Sequence, residues 1–210
     1  MLELTMKFLS LFLFFFLNTI YAFNDGPISE KVMKKAERKY SGSVVLRYIE
    51  YNKMLSKAQH SNLQSKLHIV NDFFNKITYQ SDIKIWKQDD YWATPFEFLA
   101  RNKGDSEDFV IAKYFALKTL KVDTKKLYFA YVNSKDFKQP HMVLSYFETP
   151  SSDPLILDNI NPEVLNASLR EDLTPVYNFN ANTLTKLSKS DQSTHKKWEK
   201  LIKRVKRNKL

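Results

Sequence analysis

The sequence predicts an α+β domain, because helical patterns fill its first part and strand patterns its last part. Between residues 30 and 120, apolar residues recur at intervals of three and four, as in amphipathic helices. From residue 126 onward, short β-branched and aromatic runs separated by turn residues indicate antiparallel strands. The two parts do not alternate as βαβ units. With 43% hydrophobic residues, a chain of 210 residues can form one well-packed core.

The first 22 residues have the pattern of a secretory signal peptide. Lys7 precedes an apolar run over residues 8–20, and Ile20 and Ala22 suit cleavage before Phe23. The run is short for a membrane span, although an uncleaved N-terminal anchor is the alternative interpretation. We therefore expect residues 23–210 to form a single exported domain, with no stable membrane span once the signal is removed.

Helical patterns follow in order along the next segment. Ser29 is a suitable N-cap for a helix that begins just after it. Residues 52–77 are predicted as one long amphipathic helix. Its apolar face is formed by Leu63, Leu67, Val70 and Phe74. Residues 81–105 have mixed periodicity, and Pro95 favours a short helix over 95–100 between an extended loop and a turn.

A further helix is predicted from Asp105 to about Leu120. Its apolar face is formed by Phe109, Ala112, Ala116 and Leu120. Asp105 is a good N-cap and Asp108 is at the third helical position, so both acids lie near free amides and the positive end of the helix dipole. Capping alone can therefore explain these acids. Gly104, one of three glycines in the chain, indicates a backbone constraint where the chain enters the helix.

Strand patterns follow this helix. Three runs combine β-branched and aromatic residues and are broken by turn residues, and they cover residues 126–134, 141–147 and 154–160. Residues 174–180 are a candidate fourth strand. Helices first and strands after them are the order expected of an α+β domain.

The C-terminus is strongly basic and carries much of the formal net charge of +10. Between His195 and Leu210 there are eight Lys or Arg residues and a single acid, Glu199. An apolar stripe at helical spacing is formed by Trp198, Leu201, Ile202 and Val205. The favoured interpretation is a terminal helix docked by this stripe. Contact with anionic lipid or with an acidic protein is the alternative. Export argues against nucleic acid as a partner.

The chain contains no cysteine, which excludes disulfides, thiol catalysis and thiolate metal sites. Common catalytic signatures such as HExxH, the P-loop and GxSxG are also absent from the sequence. One ordered set remains: Ser106 at a helix start, His141 at the start of a strand and Asp158 at the end of another. A nucleophile, a base and an acid that orients the base form a catalytic triad in any chain order. Spacing alone is weak evidence, because many chains contain such a set.

Three segments resemble the bacterial transglutaminase-like cysteine proteinases, the LapG family. The stretch DDYWATPFEFLARNKGDSEDFVIAKYFAL is similar to the family's nucleophile segment, in which W-A-T-P-x-E-x-L is followed by G-D-C-E-D-(F/Y)-A-I-A-K-Y. HMVLSYF resembles the histidine strand, and LILDNINPEVLNASLREDLTPVYNFN resembles the aspartate segment. The resemblance extends from about Val32 through the basic terminal helix. It implies a transglutaminase-like or papain-like α+β core.

Carried over by position, the resemblance implies that Ser106 stands where the family has its nucleophilic cysteine, with His141 and Asp158 completing the triad. It also implies a calcium site beside the nucleophile, formed by Asp105 and Glu107 with Asp108. Carboxylate oxygens are the ligands that this hard cation prefers. The implied function is periplasmic endoproteolysis of the N-terminal region of a large surface adhesin, which releases the adhesin and disperses biofilm. The implied second partner is an inner-membrane receptor that senses cyclic di-GMP and sequesters the protease through its periplasmic domain.

Serine at position 106 is the main departure from the family pattern. A helix N-terminus and a nearby imidazolium stabilise a thiolate at neutral pH, whereas a hydroxyl must lose its proton to a base during attack. Three explanations follow: a laboratory Cys→Ser inactivation, a pseudoprotease that binds without cleaving, or an enzyme that uses serine. The chain offers no second cysteine as a substitute nucleophile.

Overall fold

The computed structural model describes residues 26–40, 42–135, 140–183 and 192–208. The predicted signal peptide, residues 1–22, lies outside this part of the chain. Seven α-helices are described: α1 Glu30–Tyr40, α2 Ser43–Gln59, α3 Leu63–Phe74, α4 Asp82–Trp86, α5 Pro95–Arg101, α6 Ser106–Thr119 and α7 Gln192–Asn208. Within the described residues, no helix is both long enough and apolar enough to cross a membrane.

The predicted antiparallel sheet is confirmed. Its strands are β3 Leu127–Ser134, β4 Pro140–Tyr146, β5 Leu155–Leu157, β6 Leu165–Asn166 and β7 Leu173–Asn180, in the order β6-β5-β4-β3-β7. A separate parallel pair joins β1, Thr78–Tyr79, to β2, Lys103–Gly104. This short pair brings the end of the α3 segment beside the entrance to α6.

The prediction of one long helix over residues 52–77 is wrong, since the chain breaks between α2 and α3. Asn62 is the N-cap of α3, and its side chain accepts a hydrogen bond of 2.8 Å from the amide of Ser65. The apolar periodicity runs on across this break, so the pattern alone concealed the turn. The short helix predicted over 95–100 is confirmed as α5, whereas α4 was predicted as extended loop.

Helix α6 lies at the centre of the core. It packs against α3 and α5 on one side and against β4 on the other, and Ile111, Ala112 and Leu117 are completely buried. The docking predicted for the basic helix is also present. Trp198 of α7 stacks on Phe115 of α6 with ring centroids 5.9 Å apart. Helix α6 is thus enclosed by the core, and Ser106 is its first residue.

Candidate active site

Ser106 is the first residue of α6 and is buried, with 5% of its surface exposed. The chain reaches it through a tight turn, in which Asn102 adopts a left-handed conformation after α5. Gly104 follows, and a Cβ atom at this position would lie 2.5 Å from the ring of Phe98 and 2.7 Å from a carboxylate oxygen of Asp108. The constraint predicted at Gly104 is therefore one of space.

His141 and Asp158 meet in a buried hydrogen bond. The Nε2 atom of His141 lies 2.7 Å from Oδ1 of Asp158, and both side chains are almost fully enclosed. Their strands explain the contact, because β4 begins at residue 140 and pairs with β5, which ends just before residue 158. Such a carboxylate fixes the tautomer and the orientation of an imidazole.

Asp158 is also bound by a buried arginine. Arg170 donates to its Oδ2 at 2.6 Å, and the amide of Ile160 donates to its Oδ1 at 3.0 Å. Burial alone raises the pKa of the Asp158 carboxyl, but these contacts and His141 outweigh it and hold the pKa well below its usual range. Asp158 is therefore a permanent anion beside the imidazole. Asn75 of the α3 end fixes its backbone by donating to the Asp158 carbonyl at 2.8 Å.

The hydroxyl of Ser106 donates to its chain neighbour. Its Oγ lies 2.8 Å from Oε2 of Glu107. The structure thus brings His141 and Asp158 into direct contact, whereas the hydroxyl of Ser106 is bound to a residue predicted as a calcium ligand.

Three carboxylates gather beside the start of α6. One oxygen from each of Asp82, Asp105 and Asp108 lies within 4.8 Å of the others, and we call these residues the carboxylate cluster. Asp105 takes the predicted N-cap position, but its side chain makes no capping hydrogen bond. Asp82, which begins α4, was not predicted as a site residue. Glu107 is not a member of this group of three.

The cluster has the properties of a cation site. Among the described residues, Asp82, Asp105 and Asp108 each bury one carboxylate oxygen without a hydrogen-bond partner. Burial raises the pKa of all three carboxyls, and repulsion from neighbouring acids adds to the effect. Unpaired oxygens of buried acids suit a hard divalent cation. The oxygens would be its ligands, and its positive charge would offset the repulsion among the three carboxylates.

Comparison with known proteins decides the family. The family model for bacterial transglutaminase-like cysteine proteinases matches residues 48–172, which include all of the predicted site residues. The chain belongs to the bacterial transglutaminase-like cysteine proteinases. No curated protein matches the chain.

Solved structures of this proteinase family include near relatives. LapG of Legionella pneumophila is 36% identical over 87% of this chain and 99% of its own, with a TM-score of 0.71. Calcium-bound LapG of the same organism is 39% identical over 84% of this chain and 98% of its own, with a TM-score of 0.70. The chain thus has the LapG fold and is a LapG-like member of the proteinase family.

Three residues near the site were missed by sequence reasoning. Asp82 precedes Asp105 by more than twenty positions, and only the packing of α4 beside β2 brings the two together. Arg170 lies in a loop with no periodic pattern. Lys113 lies on α6 with its side chain completely buried, although charged residues are almost never buried without a partner. Only Lys113 carried a sequence signal, since it lies within the apolar stretch of a predicted helix.

Proposed function

We propose that the protein is a LapG-like, calcium-dependent endopeptidase-family protein of the periplasm, with serine at the nucleophile position. Its proposed substrate is the N-terminal region of a large surface adhesin, and its proposed role is biofilm release. The observation that carries the proposal is the buried His141–Asp158 pair in a chain that also places Ser106 at the N-terminus of the central helix. The similarity to LapG supports it.

In the proposed reaction, Ser106 attacks a peptide carbonyl and His141 removes the hydroxyl proton. Because Nε2 of His141 is engaged by Asp158, proton transfer uses Nδ1. Asp158, held anionic by Arg170, stabilises the imidazolium that forms. A backbone amide near residue 106 helps to hold the oxyanion. His141 then protonates the leaving amine, and water releases the acyl group from Ser106.

The carboxylate cluster is the proposed calcium site. Asp82, Asp105 and Asp108 would hold the cation, and Glu107 remains a predicted additional ligand. When bound, the cation supplies charge neutralisation at the start of α6. Asp108 also joins α6 to the segment before α5, since its carboxylate accepts a hydrogen bond of 2.7 Å from the amide of Ala93.

Calcium binding is tested by thermal unfolding. Calcium at 100 times its dissociation constant stabilises the folded state by about 2.7 kcal/mol, so the melting temperature rises. Asp82→Asn should remove most of this rise, whereas the control Asp89→Asn, at an exposed carboxylate nearby, should retain it. If calcium leaves the melting temperature of the parent protein unchanged, the metal proposal is contradicted.

A binding protein without protease activity is the second candidate. It would occupy the adhesin, or the periplasmic domain of an inner-membrane receptor that senses cyclic di-GMP, without cleavage. Two observations favour it: serine replaces the family's thiol, and the Ser106 hydroxyl donates to Glu107.

The deciding experiment compares the parent protein with Ser106→Cys and Ser106→Ala. Each is incubated with calcium and an adhesin N-terminal fragment, and cleavage is followed by gel electrophoresis. Cleavage by the parent and none by Ser106→Ala establishes serine as the nucleophile. Cleavage by Ser106→Cys alone establishes an intact cleft in a non-cleaving binder. No cleavage by any form contradicts the endopeptidase proposal.

A further inference from the structure

Two cations of α7 reach beyond its docked stripe to the segment 90–97. The guanidinium carbon of Arg204 lies 4.4 Å from the ring centroid of Tyr91, and a terminal nitrogen donates to the carbonyl of Trp92. Lys197 forms an ion pair with Asp90 and lies 5.6 Å from the ring centroid of Trp92. Both cations therefore bind the segment 90–97 through its rings and polar groups, in addition to the apolar docking of α7.

The segment 90–97 also donates hydrogen bonds to the carboxylate cluster. The amide of Tyr91 donates to Oδ2 of Asp82, and the amide of Ala93 donates to Oδ1 of Asp108 at 2.7 Å. The Ala93 contact is fully buried. The segment 90–97 therefore lies between the cations of α7 and the acids of the candidate calcium site.

One peptide group connects the two sets of contacts. The carbonyl that accepts from Arg204 and the amide that donates to Asp108 belong to the single peptide unit between Trp92 and Ala93. A peptide unit is planar, and in the trans form its carbonyl and its amide point in opposite directions. No described residue has a cis peptide bond. Fixing the carbonyl therefore fixes the direction of the amide, and a bond on one side polarises the group for the other.

We propose that Arg204 is a positioning residue for the carboxylate cluster and acts through the Trp92–Ala93 peptide group. Its guanidinium stacks on Tyr91 and lies 3.8 Å from a carboxylate oxygen of Glu97, so its own orientation is fixed by the segment it holds. Loss of Arg204 frees the peptide unit to tilt, and the carboxylate of Asp108 loses an aligned donor. The inference rests on the proposed calcium site for its functional meaning.

The first test needs no metal. Hydrogen exchange at the Ala93 amide is measured in the metal-free protein and referred to the amide of Ile111 in the buried part of α6. Arg204→Ala should speed exchange at Ala93 at least about tenfold relative to Ile111, because the peptide unit has lost the donor that holds its carbonyl. Arg204→Lys should give an intermediate rate, because lysine keeps a charge and a donor but not the planar stack.

Two variants separate positioning from general loosening of α7. Ile202→Ala weakens the half-buried apolar anchor of the same helix, and Lys203→Ala removes an exposed cation beside it. Ile202→Ala should lower the melting temperature without changing the exchange ratio, and Lys203→Ala should change neither. An equal change in the ratio for Ile202→Ala and Arg204→Ala overturns the inference.

The second test is the calcium dissociation constant from isothermal titration calorimetry. Loss of a group that orients a metal ligand typically weakens metal affinity about 10- to 100-fold, and we expect this for Arg204→Ala but not for Ile202→Ala. An unchanged constant in Arg204→Ala overturns the inference. If the parent binds no calcium, the calcium proposal fails, and the exchange ratio alone then decides whether Arg204 positions the peptide group.

Discussion

Replacing Lys113 by methionine should stabilise the protein, by an amount that depends on pH. The Lys113 side chain is completely buried, and its Nζ has no hydrogen-bond partner among the described residues. Burial lowers its pKa from 10.5 to about 7, although the charges of Asp158 and Asp72 oppose the shift. Methionine has a similar length and removes the polar group, so it avoids the desolvation of the amine.

The sign of the pH dependence follows from proton binding. Between pH 7 and pH 10.5 the unfolded chain binds a proton at Lys113 that the folded protein lacks, so wild-type stability rises with pH across this window. One pKa unit corresponds to about 1.4 kcal/mol. The free energy of unfolding of Lys113→Met should therefore exceed that of wild type by about 3 kcal/mol at pH 8 and by less than about 1 kcal/mol at pH 10.

The assay is urea unfolding of both proteins at several pH values between 7 and 10. Lys57→Met, at an exposed position on α2, serves as the control and should stay within about 0.5 kcal/mol of wild type at every pH. A constant difference between wild type and Lys113→Met across this range would refute the reasoning. So would a loss of stability at pH 8, because it would mean that the buried amine has a stabilising partner.

Two further substitutions test the surroundings of the site. Gly104→Ala should destabilise by about 1 to 3 kcal/mol in chemical unfolding, because the new Cβ would collide with Phe98 and Asp108, and unchanged stability would show that the turn can shift. Arg170→Met should cost about 3 to 5 kcal/mol by leaving the buried Asp158 without its arginine. Adding Asp158→Asn to Arg170→Met should recover part of that loss, and strict additivity of the two losses would contradict the pairing.

Local patterns predicted most of the fold. Helix α6 was predicted from apolar spacing, and the strands β3, β4 and β7 were predicted from short runs of β-branched and aromatic residues. The break between α2 and α3 was missed, since the apolar spacing continues through the Asn62 cap. Helix α4 was missed because five residues are too few to establish a period.

The site was less accessible from sequence. Ser106, His141 and Asp158 could be proposed because their family motifs are contiguous. Asp82 and Arg170 could not, because each reaches the site only through packing between distant segments. Burial is likewise a property of the folded chain, and so the unpaired oxygens of the cluster became visible only in the structure.

The docking of α7 on the segment 90–97 also has a consequence for the order in which parts of the molecule fold. Its contacts with Asp90 and Trp92 span 107 and 112 residues. Contacts between residues far apart in the chain form late, because closing the loop between them costs conformational entropy before the contacts can stabilise it. Helices α1 to α6 and the sheet can therefore form while the Trp92–Ala93 peptide unit still lacks its contact with α7. A cation bound by the carboxylate cluster, as proposed, would therefore meet its final surroundings only after α7 has docked.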